Sequence, residues 1–326
     1  MLWFQYSLTV LLSYKIMSYT QLSRELHELV ERGDEVALAV FTRRFNELQR
    51  SEMQIAYQAF RGVDLTSEIS KRLKNKAHAE LLSSLWKERT MNAIDTLQVL
   101  IKRKKKCPRV ILSVVFGSPQ TQWEKISTGW TNMYKTDLST AIKQAVQASA
   151  FVDQLIDKWT VGTRSNNGQL REGAYALKQC LHGDDQSAFA NIDDTVDYDK
   201  LSTILTTTSS TEWPTIVSIY EKLSGVSFDS LYISGSKKSK AAYDTEILHL
   251  AAQFARSPAE GVAYALNWAV NEKDLSDICA LTALFVDKAP QTNIRYQKYG
   301  VLRDDLVNTL TDKVAAPIVE LWVPEA

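Results

Sequence analysis

Residues 34–73, DEVALAVFTRRFNELQRSEMQIAYQAFRGVDLTSEISKRL, decide the fold. Their apolar residues recur at spacings of three, four and seven, in DEVALAVF and again in SEMQIAYQAF. That is the period of amphipathic helices and not of strands. Arg61-Gly62-Val63-Asp64 then breaks the helical pattern. The stretch also repeats. Shifted by 73 residues, Leu38, Phe41, Met53, Tyr57, Phe60, Asp64, Leu65 and Trp86 become Ile111, Val114, Ile126, Trp130, Met133, Asp137, Leu138 and Trp159. A further shift of 90 carries six of these onto Leu201, Ile204, Ile216, Tyr220, Leu223 and Phe228. A last shift of 77 or 78 carries Leu201, Ile204 and Ile216 onto Ile278, Leu281 and Ile294, and this unit closes at Trp322. Self-similarity at such a period predicts an array of like helical units. Gly117-Ser118-Pro119 and Ser224-Gly225-Val226 supply the matching turns, and Trp86, Trp159 and Trp322 read as core residues at helix ends.

Composition agrees with an all-α array. The 326 residues contain only 12 glycines and 7 prolines, roughly half the usual share of turn-formers. Lys and Arg number 38 against 38 Asp and Glu, so no global field draws nucleic acid, although local segregation of charge is still open. Three distant cysteines, Cys107, Cys180 and Cys279, suggest neither a disulfide framework nor a thiolate metal site, and make the cytosol the default compartment. The units are bounded as 17–89, 90–162, 163–256 and 257–326, the third carrying an acidic insertion. Residues 1–16, MLWFQYSLTVLLSYKI, are set aside as an N-terminal extension: Met17 serves equally as a start, and a secretory leader is the other reading. No later run has the 18 uncharged apolar residues of a membrane span.

The unit resembles the annexin repeat. The likeness rests on Tyr57, Gly62, Asp64 and Leu65 around the turn after a QR-containing helix, on TIVSIYEKLSGVSFDSLY in the third unit, and on the closing segments LLSSLW, QLIDKW and PIVELW. With calcium loops as altered as those below, the chain is most similar to the protozoan annexins called alpha-giardins. The resemblance implies an all-α, annexin-like curved disc of four repeats of about five helices each.

It also implies calcium binding, through a G-x-G-T loop early in each repeat and an acidic side chain about 38 residues later. Ca²⁺ takes 6 to 8 hard oxygen ligands, so both parts are needed. In unit one the loop is Arg32-Gly33-Asp34-Glu35 and the distal position holds Arg72; unit two has Lys102-Arg103-Lys104-Lys105-Lys106-Cys107 with Ala145. Unit three has the insertion DDQSAFANIDDTVDYD with Gly235, and unit four has Asn271-Glu272-Lys273-Asp274 with Thr309, Asp312 lying three residues beyond. No complete site of the family type is present. Partial sites are expected from Arg32, Gly33 and Glu35, from Asp193, Asp194 and Asp197 in the insertion, and from Asn271 and Asp274. The competing reading is a solvated acidic loop in which Asp34 or Asp197 caps a helix. Calcium, the one cofactor expected, should bind weakly, on the order of 10⁻⁴ to 10⁻³ M.

Three basic clusters are the more telling departure: Lys71, Arg72, Lys74 and Lys76; Lys102, Arg103, Lys104, Lys105 and Lys106; and Lys237, Lys238 and Lys240. On the annexin plan all three emerge on the membrane-facing side, where they would bind anionic phospholipid. The expected protein is a peripheral adaptor between membrane and cytoskeleton, cytoplasmic at the inner face of the plasma membrane. The filament half of that expectation comes from the alpha-giardin resemblance alone. The alternative is a structural cytoskeletal protein whose basic face binds microtubules, with lipid binding incidental. His27, His78, His182 and His249 show no close metal spacing, and no nucleophile-elbow or phosphate-loop motif occurs. No enzymatic activity, nucleic-acid partner or small-molecule substrate is expected.

Overall fold

The structure, a computed structural model, describes residues 19–103, 108–147, 149–182, 197–232 and 240–323. Among the described residues the helices fall into four successive sets, three of five α-helices and one of four with a 3-10 turn. The first set is α1 (19–32), α2 (Glu35–Arg43), α3 (Glu47–Arg61), α4 (Leu65–Arg72) and α5 (Lys76–Leu85). The second is α6 (Arg89–Lys102), α7 (Pro108–Gly117), α8 (Gln120–Tyr134), α9 (Leu138–Val146) and α10 (Ala150–Val161). The third contains α11 (Leu170–His182), α12 (Tyr198–Thr207), α13 (Trp213–Ser224), a 3-10 turn at Asp229–Tyr232 and α14 (Lys240–Arg256). The fourth is α15 (Pro258–Asn271), α16 (Leu275–Phe285), α17 (Ala289–Tyr296), α18 (Leu302–Thr309) and α19 (Asp312–Trp322). Among the described residues there is no β-strand, so the chain has an all-α repeat fold.

The repeated positions have repeated jobs. Leu38, Ile111, Leu201 and Ile278 are wholly buried, as are Tyr57 and Tyr220, while Trp86, Trp159 and Trp322 close the cores. Asp64 and Asp137 cap α4 and α9 by accepting from the N–H of Ser67 at 2.8 Å and of Thr140 at 2.7 Å, which satisfies a donor that the helix start leaves unpaired. Gly62 and Gly225 end α3 and α13 in the left-handed region, at φ 70° and 71°. Lys135 takes the same conformation after α8. One register differs from the sequence expectation. Ile294, aligned with the buried Ile216, is 63% exposed, and Thr292 and Tyr296 fill the core side of α17. α17 carries Pro290 in its first turn and spans only eight residues, so matching by apolar identity falls two positions off and selects Ile294, which faces water.

Packing sorts the helices into two compact units. One joins residues up to Ala93 with Leu266 onward; the other is Ile94–Ala265. The first therefore pairs the two ends of the chain. α2 lies against α19 and α5 against α16. Polar clasps fix this pairing: Arg43 to Glu320 at 2.8 Å, Arg50 bidentate to Asp287 at 3.0 Å, and the Asn92 amide donating to the Ala283 carbonyl at 2.8 Å. In the second unit α7, α10, α12 and α14 share a core, with the rings of Phe116 and Trp159 4.6 Å apart. Arg164 stacks on Trp159 at 3.7 Å, and burial pulls its guanidinium down to about 10.

Candidate functional site

The α1–α2 and α4–α5 loops meet in the first repeat, where the expected calcium ligands lie. α1 ends in a tight reversal: Gly33 stands at φ +63° and donates to the Val30 carbonyl, and Asp34 donates to Leu29. This is a left-handed helix ending, in which backbone carbonyls are satisfied by the turn itself. The Asp34 carboxylate caps α2 by accepting from Ala37 N–H at 2.9 Å. Arg32 turns back to the Glu28 carbonyl. Glu35, expected to supply oxygen to a metal beside the Gly33 carbonyl, points inward instead. One of its oxygens accepts from the Asn75 N–H at 3.2 Å and the other makes a short contact with His78 Nδ1. His78 is fully buried, and its Nε2 donates to the Val314 carbonyl at 3.1 Å. The physical reason is burial: a polar ring without solvent must find a partner for each nitrogen, and Glu35 serves Nδ1 as the Val314 carbonyl serves Nε2.

At the distal position Arg72 fills by charge the place where the family has a carboxylate. Its guanidinium pairs with Glu31 at 2.6 Å, and its backbone carbonyl lies 3.6 Å from where a Cβ on Gly33 would stand. A side-chain cation thus sits at the loop junction. Repeat four answers differently. Thr309, at the corresponding position, donates its hydroxyl to the Val270 carbonyl at 3.5 Å; Asn271 donates to Asn267, and Asp274 caps α16 by accepting from Asp277 N–H at 3.2 Å. In repeat two Ala145 is buried. In repeat three Asp197 caps α12 through Lys200 N–H at 3.1 Å and anchors its own N–H to the Cys180 carbonyl at 2.9 Å. The Lys200 N–H and the Lys200 charge together hold the Asp197 carboxyl below its usual range. Asp193, Asp194 and Gly235 lie outside the described residues. The described loops therefore do not fit a calcium ion of the family's two-part kind: no loop has the distal carboxylate, and the named acids cap helices or pair inward.

The cationic residues of the first cluster lie at the surface. Lys71, Arg72, Lys74 and Lys76 are all exposed at the end of α4 and the start of α5. Lys71 and Arg72 border an open pocket of about 350 Å³ lined also by Val63, Asp64, Ser67 and Glu68. Burial alone would raise Asp64, but hydrogen bonds from Thr66, Ser67 and Gln54 hold it low, so it stays a negative charge among the lining residues. Lys102 is exposed at the last turn of α6 and Arg103 follows it, half-buried. Lys104, Lys105 and Lys106, with Lys237 and Lys238, lie outside the described residues. Lys240 opens α14, and only its backbone is described.

The fold and sequence both have relatives. A model of the fourth repeat of annexin E1 matches residues 262–323. Giardin subunit alpha-4 of Giardia intestinalis is 22% identical over 302 residues, which cover 92% of this chain and 96% of that one. A crystal structure of calcium-bound alpha-1 giardin superposes with a TM-score of 0.81 at 22% identity over 94% of this chain and 99% of that chain. Chicken annexin V superposes with a TM-score of 0.71 at 15% identity, covering 92% of this chain and 95% of its own. The repeat model, the sequence relatives and the solved structures agree on one architecture: the chain has the all-α annexin repeat fold and is similar along most of its length to the alpha-giardins.

Proposed function

We propose that the chain is a divergent annexin of the alpha-giardin type that attaches peripherally to anionic phospholipid through its basic loops, with calcium as a weak auxiliary, and acts as an adaptor between the inner face of the plasma membrane and the cytoskeleton in the cytoplasm. The observation that carries this reading is the exposure of Lys71, Arg72, Lys74 and Lys76 around the Gly33 turn, where Arg72 stands in the place of a calcium-binding acid. A fixed cation at that point supplies what a metal otherwise supplies, positive charge for a phosphate. Each Lys or Arg close to an anionic leaflet contributes about 1 kcal/mol, so four to six of them give about 4 to 6 kcal/mol of attachment that salt weakens. No catalytic step is assigned to the protein.

Co-sedimentation with phosphatidylserine vesicles tests this. The parent is expected to pellet in chelator at low salt, to be released at 1 M salt, and to gain little from millimolar calcium. The variant Lys71→Glu/Lys74→Glu/Lys76→Glu should lose most vesicle binding while melting normally, because surface substitutions usually shift stability by under about 0.5 kcal/mol. Binding that requires calcium, or a variant that pellets like the parent, would overturn the electrostatic anchor. A parallel arm with microtubules reads the filament half: pelleting with filaments but not vesicles would replace the lipid reading by the cytoskeletal one.

A further inference from the structure

We propose that His27, Glu31 and Glu68 form a binding site for a divalent transition-metal ion of the zinc class, built on α1 and α4 beside the α1–α2 loop and using none of the ligands expected for calcium. One ligand atom from each of the three side chains lies within 4.8 Å of the other two. Two elements bring them together. His27 and Glu31 stand four residues apart on α1, hence on one face one turn apart, and α4 presents Glu68 across from them.

A buried phenol organises the group. Tyr57 is fully buried. Its O–H makes a short hydrogen bond to Glu68, and its oxygen lies 3.2 Å from His27 Nδ1. Tyr57 has a single proton and Glu68, when ionised, can only accept, so that proton goes to Glu68 and the phenol oxygen accepts from His27 Nδ1–H. The network thereby assigns the neutral ring its lone pair on Nε2, with Nδ1 held by an oxygen, which is the arrangement that orients a ligating histidine. The edges of Tyr57 and Phe60 against the ring, with centroids at 6.2 and 6.4 Å, restrict its rotation.

The donor set selects the ion. One imidazole nitrogen and two carboxylate oxygens suit zinc and its neighbours, whereas calcium prefers an all-oxygen shell of 6 to 8 ligands. Bonds of about 2.0–2.2 Å require ligand atoms roughly 3.5 Å apart in a tetrahedral shell. Glu31, 37% exposed, has the freedom to close that gap, with solvent completing the fourth position. Two guanidiniums now balance the carboxylates: Arg72 on Glu31 at 2.6 Å and Arg61 on Glu68 at 3.9 Å. A dication at this point takes over their role and releases Arg72 toward solvent beside Lys71.

The test is calorimetric titration of the full chain with ZnCl₂ in a Cys107→Ser background, which removes a competing thiolate, with CaCl₂ as the control ion. One zinc per chain is expected, unaffected by equimolar calcium. His27→Ala and Glu68→Gln should each weaken zinc binding by at least roughly tenfold, Tyr57→Phe by a similar factor through loss of the Nδ1 partner, and Arg72→Ala should leave binding equal or tighter. Cobalt replacing zinc should give a visible-region spectrum that His27→Ala abolishes. Melting of His27→Ala in chelator, equal to that of the parent, separates lost ligation from lost fold, and should Glu68→Gln not fold, His27→Ala alone decides. Zinc bound by His27→Ala as tightly as by the parent, or displaced by equimolar calcium, would overturn the site while leaving the lipid-binding reading untouched.

Discussion

Repeats one and four sit in the same compact unit and solve the same packing problem with different chemistry. Both carry one relay in their cores. In repeat one the Trp86 indole N–H donates to Thr42 Oγ1 at 3.2 Å, and that hydroxyl donates to the Leu38 carbonyl at 2.7 Å. In repeat four Trp322 donates to Thr282 at 2.8 Å, and Thr282 to the Ile278 carbonyl at 2.7 Å. Beyond the relay they part. Where repeat one places Glu35 and His78, repeat four places Leu275 and Val314, and the two meet where His78 reaches the Val314 carbonyl. A shared buried scaffold thus tolerates a polar clasp in one repeat and a pair of half-buried apolar residues in the other. The scaffold belongs to the fold, and the difference belongs to this chain.

The largest effects should come from the scaffold. Trp86→Ala and Trp322→Ala each remove a fully buried indole and should cost about 3–5 kcal/mol, measured by chemical denaturation. Near-equal losses would sustain the equivalence of the two repeats; a loss in one repeat several-fold below the other would break it. The next effect isolates the clasp. Glu35→Leu strips a buried histidine of its carboxylate and should cost about 3 kcal/mol, while Glu35→Leu with His78→Val copies the chemistry of repeat four and should recover most of it, since apolar replacement of a whole buried pair is often neutral. Failure of the double variant to recover would mean that the clasp and the apolar pair of repeat four are not interchangeable. Smaller again is the relay hydroxyl. Thr42→Val or Thr282→Val leaves an indole N–H buried without an acceptor and should cost about 1–3 kcal/mol in either repeat.

Much of this architecture is legible in the sequence, because what repeats is what packs. Leu38, Tyr57, Asp64 and Leu65 recur as core, core, helix cap and core, and each identity follows from local physics. Pairing of the first repeat with the fourth is not legible: a period specifies what each unit buries within itself and carries no signal for which unit closes on which. The site suffers the same limit. His27 and Glu31 are visible as a one-turn pair on a helix, but Glu68 reaches them only through the fold. Glu35 and Arg72 could be placed at a metal loop by spacing, yet their partners His78 and Glu31 lie 43 and 41 residues away. Side-chain direction at a helix start depends on what the rest of the chain buries there.

The finest comparison is between the two turns that open these repeats. Gly33 and Lys273 occupy the same place in the same motif. The N–H of Gly33 bonds to the Val30 carbonyl and that of Asp34 to Leu29, as Lys273 bonds to Val270 and Asp274 to Ala269. Both stand in the left-handed region, at φ +63° and +55°. For a residue with a Cβ this conformation costs about 1–2 kcal/mol, and for glycine almost nothing in strain, although glycine gives up about 0.5–1 kcal/mol in unfolded-state entropy. Lys273→Gly should therefore stabilise the protein by about 0.5 kcal/mol, and Gly33→Ala should destabilise it by a similar or slightly larger amount. Sterics do not intervene at Gly33, because the nearest atom to a built Cβ is the Arg72 carbonyl oxygen at an ordinary 3.6 Å, so the loss reports backbone strain less the unfolded-state entropy that alanine recovers. The exposed Lys273 side chain should add little on removal. Opposite signs for the two substitutions, read as denaturation midpoints at constant slope, are the expected result. Destabilisation by Lys273→Gly would show that its side chain holds the turn by a contact worth more than the strain it bears, and the two turns would then be alike in shape but not in cause.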